Sequence, residues 1–223
     1  TMLDLPLTFL QRPAAAGTPR PWLLVLMHGV GSNEQDLFSL SSQIPERFHV
    51  LSLRAPHRMG PGSHAWFDFS IEPGSGARSI NEEQEAHSRA LVAQTIEAAS
   101  AQLGIPPERV VVGGFSQGGI MALSLLLTRP ELLHAAVVWH SRLLAQVLPR
   151  IIARVEARPE IARALWSRVP PDVALRIAAI KDSHDGTVDF RRGSNVMPGT
   201  AKYGAGDQMG VRSWAPAVCV RLR

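Results

Sequence analysis

The segment from Val110 to Leu123, VVVGGFSQGGIMAL, joins β-branched residues to an apolar run through a glycine-rich turn. The consecutive valines predict a buried strand, and the apolar residues from Met121 to Leu127 predict a helix. Between them, Gly114-x-Ser116-x-Gly118 has the spacing of a nucleophile elbow, in which a serine sits on a sharp strand-to-helix turn. This segment therefore predicts a strand, turn and helix that display Ser116 at the edge of a sheet.

The glycine spacing has a chemical reason. A serine on so sharp a turn has strained backbone angles and crowded neighbours, so glycines two residues to either side leave room for the chain. The first free N–H groups of the following helix then point at any oxyanion formed beside the hydroxyl. The alternative is a glycine-rich turn without chemistry, but the strand–turn–helix context favours a nucleophilic Ser116.

Strand and helix patterns alternate along the chain, which predicts a mostly parallel sheet with right-handed crossovers, flanked by helices, in a single α/β domain over residues 1–223. In such sheets ligands bind at the carboxyl ends of the strands, where His28, Ser116, His140 and residues 181–188 would gather. Residues 57–80 show no periodicity and are interpreted as a long excursion. The predicted strands are 3–10 (an edge strand), 22–27, 50–53, 110–112, 135–139 and 173–180, and the predicted helices are 81–103, 121–127 and 159–168.

The charge distribution argues against a nucleic-acid partner. Residues 1–140 carry 9 Arg and 12 acidic residues, a net charge of −3, whereas residues 141–223 carry 14 basic and 7 acidic residues, a net charge of +7. The basic residues of the second part are scattered, without interleaved aromatic residues or a recognisable binding motif. A solvated basic surface is the favoured interpretation.

Other features of composition narrow the expected setting. The apolar runs are too short to span a bilayer and no secretion signal is visible, so we expect no membrane span. The single cysteine, Cys219, cannot form an internal disulfide, which fits a cytoplasmic location. The histidines lack metal-ligand spacing, so no metal or cofactor is expected. We interpret His49, His57, His64 and His87 as surface or loop residues.

Motifs in a fixed order carry a family resemblance. The chain resembles the phospholipase/carboxylesterase group of α/β-hydrolases, which includes bacterial carboxylesterases and acyl-protein thioesterases. The resemblance is specific over residues 22–142, extends weakly to residues 184–188, and is not traceable beyond about residue 190. The motifs that carry it are His28-Gly29-Val30-Gly31-Ser32-Asn33-Glu34-Gln35-Asp36-Leu37, Arg54-Ala55-Pro56, Ala65-Trp66-Phe67-Asp68 and Gly114-Phe115-Ser116-Gln117-Gly118-Gly119.

The resemblance implies a role for each matching residue. Ser116 would be the nucleophile, and the backbone N–H groups of Val30 and Gln117 would form the oxyanion hole. Asp185 would be the acid of a catalytic triad, with Asp182 as its rival. Trp66 and Phe67 would line the acyl or alcohol pocket. His28 would shape the oxyanion loop.

The chain departs from the family pattern where the triad histidine is expected. The family has a Met-Gly-His segment near its C-terminus, whereas this chain has Met209-Gly210-Val211 and no histidine after His184. Three accounts remain open. The triad is broken; or another histidine substitutes, for which His140 at the end of a neighbouring strand is the best candidate; or the oxyanion hole alone supports slow turnover.

The sequence thus predicts a serine carboxylesterase that hydrolyses short-chain esters through an acyl-Ser116 intermediate. Thioesters and lysophospholipids stay open as substrates because the resemblance allows them. The alternative is an inactive relative that keeps the fold and binds a small ligand or a partner. The expected partner is a small-molecule ester, and a homodimer is compatible with this interpretation.

Overall fold

The computed structural model describes residues 3–71, 73–74, 78–141, 143–144, 187–188 and 218–221. The predicted helix 159–168, the predicted strand 173–180 and the whole segment that holds Asp182, His184 and Asp185 lie outside these residues. In chain order the strands are β1 (Phe9–Arg12), β2 (Trp22–Met27), β3 (Phe48–Leu53), β4 (His57–Gly60), β5 (Ser63–Ala65), β6 (Phe69–Ile71), β7 (Arg78–Ile80), β8 (Val110–Phe115), β9 (Ala135–Trp139), β10 (Leu143–Leu144), β11 (Thr187–Val188) and β12 (Val218–Arg221), and the helices are α1 (Gln35–Phe38), α2 (Glu82–Leu103) and α3 (Gln117–Thr128).

A mainly parallel six-stranded sheet forms the centre of the described part, with strand order β1-β3-β2-β8-β9-β12. The four inner strands run parallel, and β1 and β12 pair antiparallel with β3 and β9. The inner strands are apolar because helices and loops cover both faces, and Leu23, Val25 and Met27 of β2 are fully buried. The mostly parallel sheet with flanking helices confirms the predicted fold class.

Helix α2 has the end signals that the sequence predicts. The Asn81 side chain accepts a hydrogen bond from the Gln84 N–H, and Gly104 ends the helix in the left-handed conformation. Its buried residues include Val92, Ile96 and Ala99. Helix α3 is apolar and almost wholly buried, as expected for a helix enclosed between the sheet and other elements. None of the helices among the described residues combines the length and the apolar composition needed to cross a membrane.

Three local expectations differ from the structure. The edge strand begins at Phe9 rather than Leu3, because Leu3 and Leu7 are buried in the core instead of continuing the sheet. The excursion at 57–80 contains two antiparallel hairpins, β4–β5 and β6–β7, outside the central sheet. The interpretation of His49 as a surface or loop residue is wrong: it lies in β3 with 7% of its surface exposed and is hydrogen-bonded to Gln11 of β1.

Candidate active site

Ser116 occupies the turn between β8 and α3 with backbone angles φ 51° and ψ −113°. A positive φ at a non-glycine residue costs on the order of 1–3 kcal/mol and persists only where the surroundings impose it. Here the Ser116 N–H donates to the Trp139 carbonyl at 2.9 Å, and the Ser116 carbonyl accepts from the Ile120 N–H at 3.1 Å. The turn is thus fixed from both sides, and the half-buried Ser116 stands at the carboxyl edge of the sheet.

The glycines of the elbow are required by close backbone contacts. A Cβ at Gly118 would overlap the carbonyl of Met27 at the end of β2. A Cβ at Gly114 would overlap the carbonyl of Gly118. The spacing seen in the sequence therefore has the steric origin expected of it.

The loop after β2 lies against the serine. A Cβ at Gly29 would stand 3.6 Å from the Ser116 Cβ and 3.1 Å from the Phe115 ring, so only a glycine allows this approach without displacement. Gln117 is the first residue of α3, so its N–H has no acceptor within the helix. Among the described residues, neither the Val30 N–H nor the Gln117 N–H donates to a protein acceptor. Both are therefore available as hydrogen-bond donors beside Ser116.

The Gln117 side chain has a second task that the motif did not reveal. Its Oε1 accepts from the Trp66 N–H at 2.7 Å, and its Nε2 donates to the Phe67 carbonyl at 2.6 Å. The residue is 3% exposed, so both bonds are shielded from water. The residue whose N–H begins α3 therefore also clamps the 66–67 backbone, which the Ser88 hydroxyl fixes by donating to the Trp66 carbonyl at 2.5 Å.

His28 is fully buried, and both of its ring nitrogens are engaged. Nε2 accepts from the Ala55 N–H at 3.0 Å, so the proton is on Nδ1, which donates to the Gly29 carbonyl at 2.7 Å. Burial lowers the pKa of His28, which favours this neutral form. The Trp66 indole N–H donates to the His28 carbonyl at 2.9 Å. These bonds agree with the interpretation that His28 shapes the loop, and they leave neither ring nitrogen free to act as a base.

An ion pair anchors the far end of the same loop. Arg54, just after β3, donates from Nε to Glu34 Oε2 at 2.6 Å and forms a second bond through its terminal nitrogen. The Glu34 side chain is 6% exposed, and the hydrogen bonds from Arg54 lower the pKa of its carboxyl group. The loop is consequently tied to β3 through Arg54 and Ala55, and to the 66–67 segment through the Trp66 indole.

His140 lies next to the elbow. Because Phe115 and Trp139 are paired in register, Ser116 and His140 are the residues that follow each strand. His140 is exposed, has φ 46°, and packs its ring edge-on to that of Phe115 with centroids 5.9 Å apart. Ser141 donates from its hydroxyl to the Ser116 carbonyl at 2.7 Å. Within the described ranges, no histidine ring nitrogen is hydrogen-bonded to the Ser116 hydroxyl.

The remaining predicted site residues divide into two groups. Trp66 and Phe67 are buried, at 0% and 2% exposure, and their described contacts brace the loop; the role in lining a substrate pocket stays a prediction. The structure places Gln117 and His140 beside Ser116, and Val30 directly after Gly29, the loop residue that lies against the serine. Asp185 and its rival Asp182 lie outside the described residues. No group of three or more His, Cys, Asp or Glu side chains within the described ranges could hold a metal ion.

Comparison with known proteins identifies related sequences. A family model for phospholipase/carboxylesterase matches residues 14–150. The chain is 32% identical over 123 residues to acyl-protein thioesterase 1 of Mycosarcoma maydis, covering 48% of this chain and 51% of that protein. It is 28% identical over 141 residues to acyl-protein thioesterase 1 of Schizosaccharomyces pombe, covering 59% and 61% of the two chains. The chain thus spans about half to three fifths of the length of these relatives.

Solved structures give a consistent result. The carboxylesterase of Bacillus cereus is 25% identical, with a TM-score of 0.51 over 61% of each chain. Acyl-protein thioesterase 2 of Zea mays is 25% identical, with a TM-score of 0.53 over 70% of each chain. A carboxylesterase of Mesorhizobium loti, 21% identical with a TM-score of 0.53 over 64% of each chain, shares the fold.

Proposed function

Because the chain belongs to the phospholipase/carboxylesterase family and has the α/β-hydrolase fold, we propose that it hydrolyses carboxylic esters or thioesters with Ser116 as the nucleophile. The observation that carries the proposal is the backbone of Ser116, a non-glycine residue at φ 51° between a strand and a helix. The available N–H groups of Val30 and Gln117 support it, because an acyl-transfer site needs such donors where negative charge develops.

The proposed reaction has two halves. The Ser116 hydroxyl oxygen attacks the acyl carbon while its proton passes to a base, and the Val30 and Gln117 N–H groups stabilise the oxyanion. The bond to the alcohol or thiol then breaks, the leaving group takes the proton from the base, and an acyl-Ser116 remains. Water attacks this acyl group by the same route, which releases the carboxylic acid and restores the hydroxyl.

His140 is the proposed base, with Asp185 as the proposed acid that orients it. Its support is position: it follows β9 directly beside the elbow and is exposed, whereas the ring nitrogens of His28 are already engaged. The Ser116 hydroxyl has no hydrogen-bond partner among the described residues, and catalytic hydrogen bonds can tighten only when substrate binds.

Short-chain esters are the proposed substrates, with thioesters and lysophospholipids also open. The relatives named acyl-protein thioesterase support thioesters as a class. Trp66 and Phe67 remain the proposed pocket residues. We also propose a single α/β domain over residues 1–223, a cytoplasmic location, no nucleic-acid partner and a homodimer.

A second candidate is a relative that has lost catalysis and binds a small ligand or a partner. The observation that favours it is the unpartnered Ser116 hydroxyl within the described ranges, together with the missing Met-Gly-His histidine. The two candidates differ in one property. An enzyme needs a base that reaches Ser116, and a binding protein does not.

Hydrolysis of p-nitrophenyl acetate by the parent chain tests the proposal, compared with Ser116→Ala, His140→Ala and the matched control His87→Ala, an exposed histidine on α2. We expect Ser116→Ala to reduce kcat/KM to background, a loss of at least about 10³-fold. We expect His140→Ala to reduce it by about 10²-fold or more and His87→Ala to leave it unchanged.

If kcat/KM of the parent chain equals that of Ser116→Ala, the proposed hydrolysis is wrong and the non-catalytic binding protein is favoured. A His140→Ala variant as active as His87→Ala would remove His140 as the base while leaving Ser116 as the nucleophile. The ratio of kcat/KM for S-phenyl thioacetate to kcat/KM for phenyl acetate then shows whether the protein prefers thioesters or esters.

A further inference from the structure

A basic cleft opens at the edge of the sheet opposite Ser116. Its volume is about 840 Å³, and its lining includes Arg20, Trp22, Arg47, Arg109 and His134. This cleft plays no part in the proposed hydrolysis, because Ser116 follows the carboxyl end of β8 whereas Arg109 precedes its amino end.

Four adjacent parallel strands each contribute one of these residues at the same end. Arg47 directly precedes β3, Trp22 begins β2, Arg109 directly precedes β8 and His134 directly precedes β9. The sheet register therefore sets their spacing. Arg20 joins them from the preceding turn, with φ 57°, a backbone conformation that non-glycine residues seldom adopt.

The guanidinium groups of the cleft lack carboxylate partners. In the part of the chain that the structure describes, Arg20, Arg47 and Arg109 form no salt bridge, although Glu108 also lines the cleft. With that one carboxylate counted, the lining carries a net charge of +2 when the imidazole is neutral. One terminal N–H of Arg109 donates to the Pro21 carbonyl at 3.2 Å. Like charges held together in this way repel one another, and a bound anion would relieve that repulsion.

Two aromatic rings add a second, independent feature. The rings of Trp22 and His134 meet edge to face with centroids 5.2 Å apart. The edge-to-face pair presents aromatic surface in the lining of a cleft that otherwise carries arginine side chains. An aromatic ring of a ligand can pack against such a surface.

We propose that this cleft binds a small phosphate monoester that carries an aromatic or heterocyclic ring. Arginine forks match phosphate oxygens in geometry and charge, and a planar ring is suited to contact Trp22. Three arginines supply more charge than a single carboxylate requires, which favours the doubly charged phosphate. Ligands of α/β sheets usually bind at the carboxyl edge, where helix N-termini supply donors; at this edge the side chains must supply them instead.

Titration calorimetry with phenyl phosphate at low ionic strength tests the site, with inorganic phosphate as the ring-free probe. Three variants are compared with the parent chain. The first combines Arg20→Gln and Arg47→Gln, the second is Trp22→Leu, and the third, Arg58→Gln, is the matched control at an exposed arginine of β4. Arg20 and Arg47 are exposed, so their loss leaves the core intact, and a circular dichroism melt checks each variant.

We expect saturable binding of phenyl phosphate, weakened about tenfold or more in the double arginine variant and unchanged in Arg58→Gln. Trp22→Leu is expected to weaken phenyl phosphate about fivefold while sparing inorganic phosphate. Absence of saturable binding to the parent overturns the proposal, as does an equal loss in Arg58→Gln, which would indicate diffuse surface charge. Neither readout depends on hydrolysis, so the result is independent of the function proposed for Ser116.

Discussion

The two edges of the central sheet are built from the same strands in opposite ways. At the carboxyl edge, the polar groups around Ser116 bind one another: His28 to Gly29 and Ala55, Gln117 to Trp66 and Phe67, Glu34 to Arg54. At the amino edge, Arg20, Arg47 and Arg109 face a cleft without a carboxylate partner among the described residues. At the carboxyl edge the supporting side chains are hydrogen-bonded within the protein and only the Val30 N–H, the Gln117 N–H and the Ser116 hydroxyl stay available, whereas at the amino edge the arginine side chains themselves lack a carboxylate partner among the described residues.

This difference separates two uses of polar groups. A site that stabilises a developing charge works best when its donors are already held in place, because reorganisation then costs nothing during the reaction. A site that captures an anion gains from charges that are unpaired before binding. The fold fixes the first edge by hydrogen bonds and leaves the second to be completed by a ligand.

The largest loss of stability at the carboxyl edge is expected from a substitution at Gly118. Gly118→Ala forces a Cβ into the Met27 carbonyl, so the elbow must shift away from β2. We expect the free energy of unfolding to fall by about 3 kcal/mol or more, measured by urea denaturation. Gly60→Ala is the matched control, since a Cβ there meets nothing within 4 Å, and a similar loss in both variants would contradict the steric explanation.

The second test removes the Gln117 clamp. Gln117→Met keeps the side-chain length but leaves the Trp66 N–H and the Phe67 carbonyl buried without their partner, which should cost about 2–4 kcal/mol of unfolding free energy. Gln84→Met is the control, because Gln84 makes a similar pair of bonds to Asp68 in a solvent-exposed setting. Equal losses in the two variants would show that burial does not distinguish the carboxyl edge.

Acid should weaken the carboxyl edge through His28. Its pKa is lowered by burial, so the unfolded chain binds more protons once the pH falls below the ordinary value of 6.5. Stability is then lost as the pH drops from about 7 towards the lower pKa of the folded state, with a slope of up to about 1.4 kcal/mol per pH unit for each extra proton.

Burial also lowers the pKa of His49. His49 therefore adds a further loss of unfolding free energy as the pH falls. Urea denaturation between pH 7.5 and about 5.5, above the range in which the Glu34 carboxyl titrates, repeated on His49→Gln to remove the second contribution, measures the share of His28. A stability that rises as the pH falls through this range would refute the neutral, doubly bonded His28.

The smallest effect belongs to the amino edge. Arg47→Gln removes one of three mutually repelling guanidinium groups, so we expect the unfolding free energy to rise by about 0.5 kcal/mol at low salt and the gain to shrink at high salt. Thermal melts at two salt concentrations measure it. A loss of stability at low salt would contradict the repulsion and show that the contact of the Arg47 guanidinium with the Phe48 ring, 5.5 Å from its centroid, matters more.

Local signals in the sequence predicted most of the carboxyl edge. The strands Trp22–Met27 and Ala135–Trp139 have the predicted bounds, and α2 has the predicted caps, because continuous apolar runs and cap residues act over a few positions. The elbow was predictable for the same reason, since its glycine spacing reflects contacts within the turn and with β2.

Features that depend on distant pairing could not be predicted in this way. The Gln117 side chain bonds residues 50 and 51 positions away, and no local pattern announces such a contact. The arginines of the basic cleft are at positions 20, 47 and 109, within residues 1–140, whose net charge is negative. The charge distribution along the sequence therefore did not predict a basic cleft there. Asp185 lies outside the described residues and remains a prediction from the resemblance alone.

The bond from the Ser116 amide to the Trp139 carbonyl has a consequence for exchange with solvent deuterium. Although Ser116 is only half-buried, its amide hydrogen is held by the neighbouring strand, so releasing it requires β8 and β9 to separate. Amides that depend on such an opening exchange with the slow, cooperative unit to which they belong. We therefore expect the Ser116 amide to exchange with the slow unit formed by β8 and β9, although the residue stands at the edge of the sheet.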